Sequence, residues 1–201
     1  QLNRKAIKNL HISVLPPDGM VRISAPEKMT ETAIRMAVIS RIPWIKKQQE
    51  SFQNQPRQSD REMVTGECHY LWGRRCRLVF NEYQGKQSVK KQGSSKLVLT
   101  VKPDTPVEKK AELLSRFYRA ELQLNAEKLF SKWTLILGVE PSHWLIRKMK
   151  TKWGSCNTTT HSINLNLELA KKPPECLEYI LVHELIHLLE RHHNERFKSL
   201  M

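Results

Sequence analysis

The chain has 201 residues, 39% hydrophobic and 27% charged, and its 34 Lys and Arg against 20 Asp and Glu give a net charge of +14. That length and composition support a buried core without disulfides and exclude a disordered polymer, and no apolar run reaches the roughly 18 residues of a membrane span. The positive excess favours encounter with anionic partners, nucleic acid foremost, beside the plainer reading of a solvated basic surface.

Basic residues recur at Arg74-Arg75-Cys76-Arg77, Lys90-Lys91, Arg147–Lys152 and Lys171-Lys172, but no zinc-finger spacing, P-loop or basic-zipper pattern accompanies them. The opening Gln1-Leu2-Asn3-Arg4-Lys5 lacks a signal-peptide core, so a cytoplasmic protein with no membrane partner is expected. Cys68, Cys76, Cys156 and Cys176 are too scattered for a metal knuckle and are expected to be reduced thiols.

In chain order, His11–Leu15 and Met20–Ser24 alternate at period two around Pro16-Pro17-Asp18-Gly19, which predicts a hairpin. Glu31–Lys47 carries Ile34, Ala37, Val38 and Ile42 at helical spacing and predicts a helix interrupted near Pro43. Gln48–Glu62 reads as polar loop. Strands are predicted at His69–Trp72, Cys76–Phe80 and Lys96–Val101, with Asn81–Ser95 as a mobile hairpin loop between the last two.

The pattern then turns helical. Thr105-Pro106-Val107-Glu108 combines a cap, a first-turn proline and a capping-box glutamate. Ala111, Leu114, Phe117, Tyr118, Leu122, Ala126 and Leu129 form the apolar stripe of a long helix. His161–Leu167 alternates as a half-buried strand. It places Asn164 and Asn166 on one face, and a peptide could add as a further strand if the Ile163–Leu167 edge is open. Pro173-Pro174-Glu175 starts the last strong helix, packed through Leu177, Ile180, Leu181, Leu185 and Leu188.

That helix carries His183-Glu184-Leu185-Ile186-His187, an H-E-x-x-H cluster. Side chains four apart share a helix face, so His183 and His187 can hold one zinc while Glu184 stands beside the water to be activated. Without a metal, these ionisable groups would each need separate partners among leucines, which makes the shared ion the more economical reading. A catalytic zinc takes three protein ligands, and His193 is the best third candidate, with His192 and Glu190 as alternatives.

On an uninterrupted helix His193 would point about 120° away from His187, so its use requires a turn near Glu190–His192, with Asn194 capping the next helical turn. Iron, nickel, cobalt and manganese remain alternatives to zinc. His192, Tyr179, Asn166 and His161 are candidate donors to an oxyanion. Cys156 has no activating histidine implied by its spacing and is not read as a nucleophile.

These motifs resemble the YgjP-like metal-dependent hydrolases, grouped with zincin metallopeptidases and more distantly similar to SprT-like proteases. The resemblance runs through Pro17-Asp18-Gly19, Ala25-Pro26, Gly66–Gly73, Lys152-Trp153-Gly154-Ser155-Cys156, Ile163–Asn166, Tyr179 and Val182–Leu188, and ends at His193 and Phe197. It implies that His183, His187 and His193 bind metal and that Glu184 is catalytic. The family's usual Asn before the third histidine and Trp after the Phe are here His192 and Lys198, and its members continue past the position of Met201.

The expected fold is therefore α+β. A zincin-like core with the H-E-x-x-H helix and a long backing helix occupies 105–201, and an antiparallel β-rich portion with one helix occupies 1–104, packed as a single domain. The expected function is zinc-dependent hydrolysis, foremost of a peptide or protein substrate. The alternatives are a nucleotide phosphoanhydride hydrolase, or a nucleic-acid-binding module with a structural metal.

Overall fold

The computed structural model describes residues 1–15, 18–54 and 62–201, and it divides into two compact units, Gln1–Asp60 and Arg61–Met201. In the first unit, β1 (Leu2–Lys5), β2 (His11–Leu15) and β3 (Met20–Pro26) form a sheet in the order β1-β3-β2. Strands β2 and β3 are antiparallel with Leu15 opposite Met20, as a hairpin requires, while β1 runs parallel to β3. Pro16 and Pro17 of the predicted turn lie outside the described residues.

Helix α1 (Glu31–Asn54) opens with Thr30 Oγ1 accepting the Ala33 N–H at 3.3 Å. It buries Ile34 and Ile45. It is not interrupted at Pro43 and absorbs residues 48–54 of the predicted loop. A proline removes one intrahelical hydrogen bond, and Ile45 on the far side still buries itself, so the helix continues. The rest of that predicted loop, 55–61, lies outside the described residues.

The second unit begins with a four-stranded sheet of β4 (Cys68–Leu71), β5 (Arg74–Glu82), β6 (Ser88–Gln92) and β7 (Lys96–Val101), in the order β4-β5-β7-β6. The predicted loop 81–95 thus contains a strand, β6, and β5 and β7 pair in parallel rather than as a hairpin. Helix α2 (Val107–Leu137) comes next. Its expected Thr105 cap does not form: the hydroxyl donates to Lys102 O and meets Gln87 Nε2, and Pro106 is the residue at the cap.

The chain then builds a second sheet from β8 (His143–Arg147), β9 (Gly154–Asn157) and β10 (Ser162–Asn166), in the order β8-β10-β9. A 3-10 turn (Leu167–Lys171) leads to α3 (Pro174–Ile186), and α4 (Glu195–Leu200) ends the described chain. The molecule is therefore mixed α/β, and the antiparallel pairing expected of residues 1–104 holds for β2–β3, β4–β5 and β6–β7 but not for β1–β3 and β5–β7, which are parallel. Apolar alternation reports a buried face and not the direction of the neighbouring strand.

Leu78, Leu97 and Leu99 of the four-stranded sheet share one core with Leu114, Tyr118 and Leu122 of α2 and Leu177, Leu181 and Leu185 of α3. Each fully buried leucine contributes about 1.5–3 kcal/mol, which is why this sheet belongs with the carboxyl-terminal helices in one compact unit. On another side of α3, Val182 and Ile186 join Phe197 of α4 in a second, smaller core. A helix apolar on most of its circumference is stable only when enclosed, and α3 is enclosed from both sides.

Candidate metal centre

Two devices set the course of α3. At its start, Trp72 and Gly73 form the tight turn between β4 and β5, both with positive φ (51° and 75°). The turn docks through Trp72 N–H to Ala170 O (2.9 Å) and Gly73 N–H to Lys171 O (3.3 Å). A Cβ at Gly73 would stand 2.9 Å from Pro173 Cγ, so glycine is needed both for the turn and for the close approach to the helix start. Midway along, Glu178 accepts from Lys132 Nζ and Trp133 Nε1, each at 2.8 Å, and so ties α3 to α2.

At the far end the helix stops at Ile186, with His187 as its cap. Tight turns come directly after it: Leu188 N–H bonds to Leu185 O, Leu189 N–H to Ile186 O and Glu190 N–H to Ile186 O. Glu190 accepts from the His192 N–H at 3.2 Å, and Asn194 Oδ1 caps α4 through Phe197 N–H at 3.0 Å. The chain therefore reverses without a glycine, one turn of carbonyls and caps taking its place, and it does so from His187, before the predicted Glu190. His193 returns to lie over the helix end.

His193 Nε2 stands 3.1 Å from His183 Nε2, and ligand atoms of His183, His187 and His193 lie within 4.8 Å of one another. A tetrahedral ion bound at about 2.0–2.1 Å per nitrogen needs nitrogen separations of about 3.3 Å, close to the separation of the first pair. His187 Nδ1 faces Glu190 O at 3.2 Å, which holds its proton on Nδ1 and leaves Nε2 for a cation. His183 Nδ1 is buried without a hydrogen-bond partner among the described residues, so that ring is held by packing.

The packing comes from Phe197. Its ring centroid lies 5.0, 4.9 and 4.6 Å from those of His183, His187 and His193. Burial lowers the pKa of His183, and repulsion from His187 and His193 lowers it further. Three imidazoles that converge on one point fit a divalent transition metal, and His192 and Glu190, the alternative ligands, are not part of the group.

Glu184 sits at the mouth of β9. Only 6% of its surface is exposed, and it accepts a hydrogen bond from the Cys156 backbone. Desolvation pushes its carboxyl up to about 7, against opposing pulls from Lys152 and that hydrogen bond. A Cβ on Gly154 would fall 2.5 Å from Glu184 Oε1 and 2.8 Å from Ile180 Cγ2, so the position must be glycine for strand and carboxylate to approach. The same burial, with the Glu184 charge, raises the Cys156 thiol to about 11, which keeps it protonated and unsuited to nucleophilic attack.

Asn166 holds β9 in place. Its Nδ2 donates to Met149 O (2.9 Å) and Lys152 O (2.7 Å), and its Oδ1 accepts from Glu168 N–H (3.1 Å). The Asn166 N–H also reaches Trp153 O at 2.9 Å. Its amide is thus committed to the loop that delivers Trp153 and Gly154, not to an oxyanion. The basic run 147–152 spans the end of β8 and this loop, and β9 was not visible in the sequence because Gly154, Ser155, Cys156 and Asn157 have no apolar alternation.

Of the other oxyanion candidates, Tyr179 has its ring 6.1 Å from that of His183. His161 occupies a turn with φ of 50°, and His192 is exposed outside the histidine group. The Ile163–Leu167 edge is not open, because β10 lies between β8 and β9. Arg75 donates to Cys68 Sγ, and Cys76, Cys156 and Cys176 are not in disulfides. No helix among the described residues is long and apolar enough to cross a membrane.

The model of the YgjP-like metallopeptidase domain matches residues 8–201. No curated protein matches the chain. Among solved structures, the crystal structure of the metallopeptidase zymogen of Pyrococcus abyssi abylysin is similar at 27% identity, over 37% of this chain and 74% of that one, with a TM-score of 0.35.

Proposed function

The chain belongs to the YgjP-like metallopeptidase family and is a metal-dependent hydrolase, and from that premise we propose that it is a zinc-dependent peptidase with a zincin-like core. In this reading His183, His187 and His193 hold the metal and Glu184 is the catalytic base. A zinc ion bound there supplies Lewis acidity, polarising a peptide carbonyl and making a water beside it more acidic.

The remaining work falls to the chain's own residues. Glu184 Oε1 lies against Gly154, and the carboxylate is oriented by the Cys156 N–H, so it can take the proton of the attacking water. The same carboxyl then holds that proton and returns it to the leaving nitrogen. Burial raises this carboxyl to about 7 in the metal-free chain, and a bound cation beside it would draw it back toward the ionised form that a base needs. The His187–Glu190 bond leaves His187 Nε2 for the metal, and the Phe197 ring packs against all three imidazoles. Among the described residues the metal-competent group holds three side chains, which leaves a coordination position for substrate and supports hydrolysis over a closed structural site.

The observation that carries this reading is the convergence of the three histidines beside a buried Glu184. A hydrolysis screen of peptides and nucleotides with zinc-loaded wild type and Glu184→Gln tests it. Peptide cleavage by wild type, reduced about 10²–10⁴-fold in the variant with zinc retained, is the expected outcome. Full activity in zinc-loaded Glu184→Gln, or loss of nucleotides alone, contradicts it.

A further inference from the structure

A cleft of about 460 Å³ opens beside the centre, lined by Trp153, Leu169, Cys176, Tyr179 and Ile180, with Lys172 and Glu175 also on its wall. Resting on the peptidase reading, we propose that this cleft is a specificity pocket that takes one large apolar side chain, Leu or Phe in size, of an extended peptide substrate.

Three features point to that occupant. The first is continuity with the reacting groups. Tyr179 and Ile180 lie one turn before His183 and Glu184, each about 40° around α3 from the residue one turn on, and Cys176 lies one turn before Ile180 with the same small offset. Trp153 adjoins Gly154, whose missing Cβ would touch both Glu184 and Ile180. One helical turn of four residues spans about 6 Å, and an extended peptide advances about 3.3 Å per residue. A side chain one or two residues from the cleaved bond therefore reaches the cleft.

The second feature is chemistry. The walls are aliphatic, aromatic and thiol, and Leu169 is buried. Lys172 and Glu175 are both exposed, and their opposite charges leave no net preference for a charged guest. The third is a braced wall. Lys172 Nζ stands 5.4 Å from the Trp153 ring centroid, and Asn166 clamps the loop carrying Trp153, so the aromatic wall is held before a substrate arrives. A second cavity, of about 420 Å³, lies near His187 and is lined by Asn157, Thr158, Thr159 and Arg191, and its polar walls do not suit the same guest.

The test uses the zinc-loaded full chain and matched peptides that differ at one position on either side of the cleaved bond. At one of those positions Leu or Phe should exceed Ala in kcat/KM by about tenfold or more. Cys176→Phe, which fills the cleft away from the histidines, should remove that advantage, read as the ratio of kcat/KM between the Phe and Ala peptides, a change in selectivity of the size expected for closing an apolar pocket. Equal rates for Ala and Phe peptides, or a preference that Cys176→Phe leaves intact, overturn the pocket and leave the peptidase reading standing.

A binding measurement separates the two failures. In Glu184→Gln, titration with an uncleaved Phe-containing peptide should shift the Trp153 indole N–H resonance, and the matched Ala peptide should not. If wild type cleaves no peptide, or if Cys176→Phe does not fold, this shift decides. Its presence keeps the pocket, with the reaction alone rejected where no peptide is cut, and its absence overturns the proposal.

Discussion

The centre has two halves built in different ways. His183 and Glu184 ride on α3, a helix enclosed by two cores, where Leu181, Val182, Leu185 and Ile186 are all buried. His193 stands on a return segment in which residues 191–196 are all exposed, and the first buried residue after it is Phe197. In the helical half His183 and Glu184 inherit their positions from the fold as a whole. In the return half His193 depends on one phenylalanine of the smaller core and a few caps, so loss of a cap there should reach the metal before it reaches the fold.

Removing that phenylalanine is the harshest way to test the contrast. Phe197→Ala empties the small core with Val182 and Ile186 and should cost about 3–5 kcal/mol in denaturant unfolding. Because its ring faces all three imidazoles, zinc affinity should fall in the protein that still folds. Unchanged zinc binding would show that the histidines are braced from elsewhere.

Gly154→Ala attacks the other half. The added methyl meets Glu184 and Ile180 at under 3 Å, and a displaced base of this kind should lower kcat/KM by on the order of 100-fold. Zinc content should stay at wild-type level, since β9 supplies no ligand, and a metal titration beside the rate measurement checks this. Asn194→Ala is the mildest change. It removes the α4 cap and should cost about 1 kcal/mol locally. Zinc affinity should fall severalfold with little change in the midpoint of global unfolding, and an equal loss in both would erase the distinction between the halves.

The same division separates what could be read in the sequence from what could not. The H-E-x-x-H spacing and the apolar turns around it are local, so α3 and the shared face of His183 and His187 were legible. The stripe of α2 was legible for the same reason. The return of His193 was identified as a requirement, but its means were not, because side-chain and carbonyl caps replaced the glycine that usually marks a reversal.

Strand β6 was missed because Lys90 and Lys91 make it look like a loop, although charged residues are what an exposed sheet edge carries. Strand β9 was missed because its residues are chosen for approach to Glu184 rather than for burial on one face. Asn166 appeared as a candidate oxyanion donor, since nothing in a sequence distinguishes an amide that holds a loop from one that meets a substrate.

The most direct test of the account is the zinc coordination itself, measured by anomalous diffraction at the zinc edge on zinc-loaded wild type and His193→Ala. The account predicts one ion per chain, about 2.0–2.1 Å from a ring nitrogen of each of His183, His187 and His193, with no fourth side chain and with occupancy lost or sharply reduced in the variant. An ion bound away from these three rings, a fourth protein ligand closing the site, or full occupancy in His193→Ala would contradict it.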